Sequence, residues 1–221
     1  MLEFLTKILL AYVLGTCMGG FVMGRLRGGV DLRASGSGNV GATNALRTQG
    51  LAFGLAVLAI DMAKGVIAAG VLPELPWPGP GAWPAWLSGG RTALACACGL
   101  AVALGHIYPA WFGFRGGKGA ATLVGVYLAL LPEAMPWMVA AFLLVLLLTG
   151  YVGLATVTGA ATALLYVTCF SAQGIFSTPG TFALAAALLV AFTHRANLLR
   201  VWNGSEHRFE KVLAWKRWLG R

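Results

Sequence analysis

The sequence is poor in charged residues, and acidic residues are especially scarce. Of 221 residues only 10% are charged, with 7 acidic and 16 basic side chains, whereas 58% are hydrophobic. Soluble domains carry about 25% charged residues. The deficit excludes an ordinary soluble domain and predicts an integral membrane protein. The net charge of +9 does not indicate a nucleic-acid-binding protein, because the cations flank apolar runs and form no patch interleaved with aromatic residues.

Several chemical signatures are also missing. The four cysteines lie in apolar segments without a Cys-x-x-Cys pair, so we expect buried, reduced thiols at Cys17, Cys96, Cys98 and Cys169. The three histidines lack the i, i+3 or i+4 spacing of a zinc ligand pair. No Ser-His-Asp order, His-x-x-x-x-Asp motif or cysteine nucleophile is evident. The sequence therefore requires no protein nucleophile.

What the chain has in abundance is apolar runs long enough to cross a membrane. They fall near 4–24, 51–72, 91–106, 119–132, 135–150, 152–170 and 180–193. These runs predict an all-α polytopic membrane protein, with about seven transmembrane helices and short cytoplasmic motif loops in a single domain, 1–221. Several runs are shorter than the roughly 20 residues of an untilted span, so six or eight spans stay open.

The distribution of cations predicts the orientation of these spans. Segment 25–50, segment 107–118 and the chain after His194 hold most of the 16 cations. By the positive-inside rule all three face the cytoplasm, which places the N-terminus outside and a cytoplasmic tail at 193–221. Residues 73–90 hold five prolines and three tryptophans, and we expect them to form an outer turn-rich loop.

The most distinctive loop is 113–122, with the sequence Gly-Phe-Arg-Gly-Gly-Lys-Gly-Ala-Ala-Thr. Glycines allow backbone N–H groups to approach an anion, and Arg115 and Lys118 add positive charge beside a helix start. The loop predicts a phosphate cradle at the membrane surface. It is not a Walker A loop, because Phe112 replaces the first glycine and Gly119 follows the lysine. A glycine-rich turn with two snorkelling cations is the open alternative.

A second glycine-rich segment follows the first apolar run. Residues 33–50 set four small polar side chains among three glycines: Ser37, Asn39, Thr43 and Asn44 among Gly36, Gly38 and Gly41. The orientation above brings both loops to one membrane face, together with Arg47, Lys118, His194 and Asn197. We expect one anion site there, or two. Two phosphate subsites at the lipid boundary suit the joining of a phosphorylated headgroup to an acyl donor.

Charged and titratable side chains also occur inside or beside the apolar runs. Asp61 and Lys64 share a helix face at i, i+3 and can pair, as a functional group or as a structural ion pair. His106 either braces the loop that follows it or is an ordinary interfacial residue.

Four motifs, taken together, resemble one enzyme family. They are 36–44 (Gly-Ser-Gly-Asn-Val-Gly-Ala-Thr-Asn), 61–65 (Asp-Met-Ala-Lys-Gly), the segment 105–122, and 194–197 (His-Arg-Ala-Asn) followed by 204–208 (Gly-Ser-Glu-His-Arg). In type and order they resemble the bacterial acyl-phosphate:glycerol-3-phosphate acyltransferases, the Y-type enzymes that open phospholipid synthesis. The resemblance spans nearly the whole chain.

The resemblance implies a seven-span enzyme of the bacterial inner membrane with its active site on the cytoplasmic face. It implies transfer of a fatty acyl group from acyl phosphate to the 1-hydroxyl of sn-glycerol 3-phosphate. The products would be 1-acyl-sn-glycerol 3-phosphate (lysophosphatidic acid) and phosphate. Its partners would be acyl phosphate, glycerol 3-phosphate and membrane lipid. No metal, cofactor or nucleic acid is implied, and neither acyl-CoA nor acyl carrier protein would be the direct donor.

Carried over by matching position, the resemblance implies catalytic roles for Ser37, Lys118 and His194. The implied substrate-binding residues are Gly36, Gly38, Asn39, Gly41, Thr43, Asn44, Arg47, His106, Gly116, Gly117, Gly119, Thr122, Asn197 and Glu206. Gly116, Gly117 and Gly119 would supply backbone donors. One departure stands out. The family tends to show Tyr-Val-Ser-Leu, whereas this chain has Gly153 in place of the serine, and Thr156 is a candidate substitute.

The leaving group determines the expected mechanism. Acyl phosphate is a mixed anhydride, so the protein must mainly align two anions and stabilise an oxyanion. A substrate phosphate oxygen is the first choice for proton acceptor and His194 the second. The main rival is a small membrane transporter of a phosphorylated organic anion. Transporters place binding groups at the midplane of repeated halves, and the sequence contains no such repeat.

Overall fold

The computed structural model describes residues 1–78 and 90–210, and within these ranges all regular structure is helical. The α-helices there are α1 (Leu2–Thr16), α2 (Gly19–Leu26), α3 (Ala42–Gln49), α4 (Leu51–Val66), α5 (Gly90–Ile107), α6 (Ala120–Leu130), α7 (Met135–Thr149), α8 (Val152–Phe170), α9 (Thr178–Thr193) and α10 (Arg195–Trp202). A π turn, Ile67–Val71, and a 3₁₀ turn, Leu72–Glu74, extend α4. The all-α prediction is confirmed.

Each of the seven apolar runs contains a helix, but a count of seven spans is not confirmed. In the described ranges four helical segments are long and apolar enough to cross a membrane: Leu51–Glu74, Gly90–Phe112, Pro132–Thr149 and Val152–Phe170. Two bent pairs raise this number to six if each pair is one span. They are α1 with α2, bent by 45°, and α9 with α10, bent by 58°. Helix α6 is apolar but shorter.

The helices cluster into two compact units. Unit 1 covers Met1–Pro132 and contains α1 to α6, and unit 2 covers Glu133–Arg221 and contains α7 to α10. Each is described below by itself. The prediction of a single domain stays a prediction.

In unit 1, glycines permit close approach between helices. A Cβ on Gly15 would overlap the carbonyl oxygen of Val102, and one on Gly105 would overlap that of Tyr12, so α1 and α5 pack backbone to backbone. Helices α4 and α6 meet in the same way, through Gly65 against Thr122 and Gly125 against Met62. Small residues that let helix backbones approach are the usual basis of helix packing in membranes.

Unit 2 buries the small residues of its middle helix. Helix α8 packs against α7 and α9, and its buried residues are Gly153, Ala155, Gly159, Ala160, Ala163 and Val167. Helix α7 is almost uniformly apolar and only Met138 of it is buried, as expected for a helix that faces lipid. Ser177 caps α9 by accepting a 3.0 Å hydrogen bond from the Gly180 N–H.

Lys7 lies far from the loops discussed below, near the end of the α4 segment. Its Nζ forms a 2.7 Å ion pair with Glu3 and donates to the carbonyls of Pro73 (3.0 Å) and Leu75 (2.7 Å). The predicted outer loop, 73–90, lies largely outside the described residues, as does the tail after residue 210.

All four cysteines are free thiols. Cys96 and Cys98 are buried, as predicted. The burial prediction is wrong for Cys17 and Cys169, which are exposed on the protein surface, because an apolar run in a membrane protein also has an outward-facing side.

Candidate active site

One buried amide shapes the first glycine loop. Asn44, on α3, is only 3% exposed. Its Nδ2 donates to the carbonyls of Leu32 (3.1 Å), Ser35 (3.0 Å) and Asn39 (2.8 Å), while its Oδ1 accepts from the Ser37 N–H (2.9 Å). The polar capacity of this side chain is therefore used within the loop, and the structure gives Asn44 the role of holding the loop in shape.

Ser37 occupies the tip of this loop. It lies between Gly36 and Gly38, whose φ angles of +59° and +71° are accessible to glycine at little cost. Its own N–H donates to Asn44, and the Gly38 N–H donates to the Ser35 carbonyl at 3.1 Å. The Ser37 residue is exposed and its hydroxyl makes no hydrogen bond within the described ranges. The hydroxyl at this exposed tip is therefore available as a donor to a ligand.

Of two arginines near the loop, one forms an ion pair with a carboxylate and the other does not. Arg33 binds the carboxylate of Asp31 through its side chain, with a shortest distance of 2.8 Å. This hydrogen bond holds the pKa of Asp31 below its usual value and raises the pKa of Arg33. Arg47, on α3, is exposed and pairs with no carboxylate of the described residues. Arg47 therefore keeps an uncompensated charge beside Ser37's loop.

The second glycine loop packs onto the end of α5. Its N–H groups at Gly116 and Gly117 donate to the carbonyls of Ile107 and His106, each at 3.0 Å. A Cβ on Gly116 would overlap the His106 carbonyl, and one on Gly117 would overlap the His106 ring at Nε2. These two glycines thus serve a close approach within the protein. Because their N–H groups already donate, two of the three predicted backbone donors for substrate, Gly116 and Gly117, are occupied in this structure.

Lys118 and Thr122 lie where this loop enters α6. Lys118 is partly buried, and Gly119 precedes the helix with φ +78°. The start of α6 contributes the positive end of a helix dipole two residues after Lys118. Thr122 is fully buried and faces α4, with its carbonyl against Gly65. Within the described ranges the Thr122 hydroxyl has no hydrogen-bond partner.

Both glycine loops lie beside α2. The Phe21 ring of α2 stacks on Phe112 with centroids 4.3 Å apart, and the Arg33 guanidinium lies 4.8 Å from the centroid of the same ring. Trp111 Nε1 also donates to Thr16 Oγ1 at 2.8 Å. Within unit 1, residues that border the two loops therefore meet at the Phe21 ring.

Asp61 and Lys64 pair as the sequence allows, and they do so together with His106. Lys64 Nζ lies 3.0 Å from Asp61 Oδ1 and 2.7 Å from His106 Nδ1. The Gly19 N–H donates to Asp61 Oδ1 at 3.0 Å. All three side chains are at most 3% exposed. The sequence indicated the pair but not its contact with His106, since no spacing rule connects residues 42 positions apart.

In unit 2 the predicted residues lie at the junction of α9 and α10. His194 is 5% exposed, and its Nδ1 is 2.9 Å from the Val190 carbonyl oxygen. A carbonyl can only accept, so Nδ1 donates, and the neutral ring carries its lone pair on Nε2. Asn197 Nδ2 donates to Glu206 Oε1 at 2.8 Å, and Glu206 Oε2 accepts from Arg200 at 2.7 Å. Glu206 therefore positions Asn197.

Gly153, which stands where the family tends to show a serine, packs closely against Asn197. A Cβ built on Gly153 would lie 2.9 Å from Asn197 Cβ and 3.2 Å from its Cγ. Asn197 thus occupies space that a side chain at position 153 would need. Thr156, the candidate substitute, donates its hydroxyl to the Val152 carbonyl at 2.8 Å, within its own helix. This packing was missed from the sequence, because a glycine gives no sign of its neighbour.

The fold and these loops define a class: a multi-pass helical membrane protein with glycine-shaped loops and cations suited to anions. A sequence model of the glycerol-3-phosphate acyltransferase family matches residues 5–204. The chain belongs to this family, and it is an acyltransferase.

Relatives and solved structures match over nearly the full chain. A glycerol-3-phosphate acyltransferase of Aquifex aeolicus is 37% identical over 91% of this chain and 97% of its own length. A glycerol-3-phosphate acyltransferase of Geobacter sulfurreducens is 35% identical over 95% of this chain and 100% of its own length. The crystal structure of PlsY (YgiH), an integral membrane glycerol 3-phosphate acyltransferase, in its glycerol 3-phosphate form is similar with TM-score 0.76 and 34% identity, over 93% of this chain and 95% of that one. The lysophosphatidic acid form is similar with TM-score 0.77 and 33% identity, over 95% of this chain and 98% of that one.

Proposed function

We propose that this chain transfers a fatty acyl group from acyl phosphate to the 1-hydroxyl of sn-glycerol 3-phosphate. The products are 1-acyl-sn-glycerol 3-phosphate and inorganic phosphate. Membership of the family supports the acceptor, as do solved relatives described in glycerol 3-phosphate and lysophosphatidic acid forms. The observation that carries the proposal is the Ser37 hydroxyl, presented at a glycine-flanked tip whose backbone Asn44 fixes.

The chemistry requires no protein nucleophile. The 1-hydroxyl oxygen attacks the acyl carbon, the bond from that carbon to the phosphate oxygen breaks, and phosphate leaves with the electron pair. The Ser37 hydroxyl donates a hydrogen bond to the oxyanion that develops at the carbonyl, where one donor is worth about 10²-fold in rate or more. The hydroxyl proton passes to a phosphate oxygen of a substrate. His194, with its lone pair on Nε2, is the second candidate acceptor.

Two phosphorylated substrates repel each other, so positive charge must hold them together. Arg47 is exposed and has no carboxylate partner in the described ranges. Lys118 enters α6 beside the dipole end of that helix. We assign these two cations to the substrate phosphates, and Asn197 and His194 to the positioning of glycerol. The remaining residues inferred from the resemblance, His106, Thr43 and Thr122 among them, stay predictions.

The placement in the membrane is also part of the proposal. The cation-rich segments 25–50 and 107–118 and the chain after His194 belong on the cytoplasmic face. This places the N-terminus on the outer face of the bacterial inner membrane. The C-terminus and the active site are then on its cytoplasmic face. Acyl phosphate, as a lipid with an ionised headgroup, would then meet the loops at the inner leaflet.

The test is a donor comparison with a matched serine control. Purified protein in lipid nanodiscs is given glycerol 3-phosphate with acyl phosphate, acyl-CoA or acyl carrier protein, and lysophosphatidic acid is measured. Only acyl phosphate should give product directly. Ser37→Ala should lower kcat about 10²-fold, because it removes the oxyanion donor. Ser35→Ala is the control, since only the backbone carbonyl of Ser35 contacts Asn44 and its side chain makes no hydrogen bond within the described residues.

Two results contradict the proposal. Equal product from acyl-CoA would remove acyl phosphate as the specific donor, and an unchanged kcat in Ser37→Ala would remove the hydroxyl from the reaction. Uptake or counterflow of glycerol 3-phosphate in liposomes without product would favour the transporter.

A further inference from the structure

The buried charged pair of α4, Asp61 and Lys64, contacts His106 of α5, and the His106 ring contacts the second glycine loop at Gly117. Lys64 Nζ is the centre of the cluster. It lies within 3.1 Å of four acceptors: Asp61 Oδ1, His106 Nδ1 and the carbonyl oxygens of Gly15 and Cys17. A lysine ammonium has three N–H donors and no acceptor. Its neighbours must therefore all present lone pairs.

This requirement fixes the tautomer of His106. At 2.7 Å from the ammonium, His106 Nδ1 must accept, because two N–H donors facing each other at that distance would repel. The distance from Nδ1 to Asp61 Oδ1 is 3.4 Å, too long to compete as a good hydrogen bond. The neutral ring therefore carries its proton on Nε2.

The nitrogen that carries this proton is the one that lies against the glycine loop. A Cβ on Gly117 would overlap His106 Nε2, and the Gly117 N–H donates to the carbonyl of His106 itself. Ring and backbone of one histidine thus hold the residue that directly precedes Lys118. Any rotation of the ring would push on Gly117.

We propose that Asp61 and Lys64 are positioning residues for phosphate binding by the second glycine loop. They act through His106, whose tautomer and ring orientation they fix, and so they set the position of Lys118. The inference deepens the proposed function and rests on it for the identity of the phosphate ligand. It assigns to the buried pair a role in ligand affinity in addition to any contribution to folding.

Unit 1 offers a matched control for a buried lysine. Lys7 has the same exposure as Lys64, 3%, and it also combines one carboxylate with two backbone carbonyls. It lies toward the other end of α1 and contacts no histidine of the described residues. If both ion pairs are purely structural, removal of either pair should have a similar effect on phosphate binding. If Asp61 and Lys64 position the loop, removal of their pair should weaken phosphate binding more than removal of the Glu3–Lys7 pair.

The experiment compares Asp61→Asn/Lys64→Met with Glu3→Gln/Lys7→Met. Both double variants remove both charges of a pair, which avoids an uncompensated buried ion. The amide that replaces the Asp61 carboxylate keeps an oxygen for the Gly19 N–H. We expect the first variant to raise KM for glycerol 3-phosphate, and Ki for inorganic phosphate, by about 10-fold to 100-fold. The control should change either constant less than about twofold. Equal changes in the two variants would overturn the inference.

A spectroscopic measurement tests the same inference without relying on turnover. Long-range ¹H–¹⁵N correlation of the histidine rings in detergent micelles, assigned with His106→Gln, reports which nitrogen is protonated. We expect His106 to carry its proton on Nε2 in the unaltered protein and a mixture in the Asp61→Asn/Lys64→Met variant. A proton on Nδ1 in the unaltered protein would refute the argument even if the double variant fails to fold.

The outcomes separate the two proposals. If the unaltered protein binds inorganic phosphate but transfers no acyl group from acyl phosphate, the proposed function fails. The cluster can then still be tested by phosphate affinity from thermal shift. If acyl transfer occurs and the two double variants have the same KM, the proposed function stands and the positioning role fails.

Discussion

Introducing a serine at Gly153 should impair this enzyme, although the family resemblance expects a serine there. A Cβ at position 153 would lie 2.9 Å from Asn197 Cβ. Non-bonded carbon atoms approach to about 3.5–4.0 Å. The substitution Gly153→Ser therefore requires Asn197 to retreat by roughly 0.6–1 Å.

That displacement has two costs. Overpacking of a well-packed contact destabilises a protein by about 1–3 kcal/mol. The 2.8 Å hydrogen bond from Asn197 to Glu206 is stretched as well, and a bond to a charged acceptor is worth about 1.5–3 kcal/mol. If Asn197 positions glycerol 3-phosphate, a shift of this size should lower kcat/KM by about 10-fold to 100-fold.

The assay measures lysophosphatidic acid formation at varied glycerol 3-phosphate, with the unfolding temperature of the same preparation. Gly159→Ser is the matched control on α8, because a Cβ at Gly159 meets only Met138 O at 3.4 Å and Phe142 Cβ at 3.8 Å. The control should keep kcat/KM within about twofold, since it moves no residue assigned to substrate. The reasoning is refuted if Gly153→Ser matches or exceeds the unaltered enzyme in both rate and unfolding temperature.

Three further substitutions probe the loops. Lys118→Met should abolish transfer while the protein still inserts into membranes, and near-normal turnover would exclude Lys118 from the site. Asn44→Ala should lower stability by about 2–3 kcal/mol, measured by chemical unfolding, because carbonyls and an N–H lose their buried partner. His194→Ala should leave the shape of the pH profile of kcat/KM unchanged if a substrate phosphate accepts the proton. Loss of a limb of that profile in the variant would instead assign the proton transfer to His194.

The helical architecture was predictable because apolar length directly reports a membrane helix. The cations of both segments predict that the two glycine loops share one membrane face, and this stays a prediction. Contact of Phe21 with both Phe112 and Arg33 agrees with that prediction within unit 1. The number of spans was not predictable, because α6 is short and two helix pairs bend sharply.

The roles of individual glycines were much less accessible from the sequence. Gly117 looks like an opening for an anion, yet its missing side chain accommodates the His106 ring. Gly153 looks like the loss of a serine, yet it accommodates Asn197. A glycine in the sequence indicates that space is needed at its position, but it does not indicate which neighbouring residue needs that space. That information lies in tertiary contacts, which neither spacing nor composition encodes.

The scarcity of acidic residues also gains a structural meaning. Of the seven acidic side chains, five form ion pairs with particular cations in the described ranges: Glu3 with Lys7, Asp31 with Arg33, Asp61 with Lys64, Glu74 with Arg91, and Glu206 with Arg200. Arg47 and Arg115, which belong to the segments of the two glycine loops, have no such partner there. Uncompensated charge beside an apolar phase is costly unless an anion arrives to neutralise it. Most acidic side chains of the described ranges are thus paired with cations that support the structure, and the charges of Arg47 and Arg115 are left without a carboxylate.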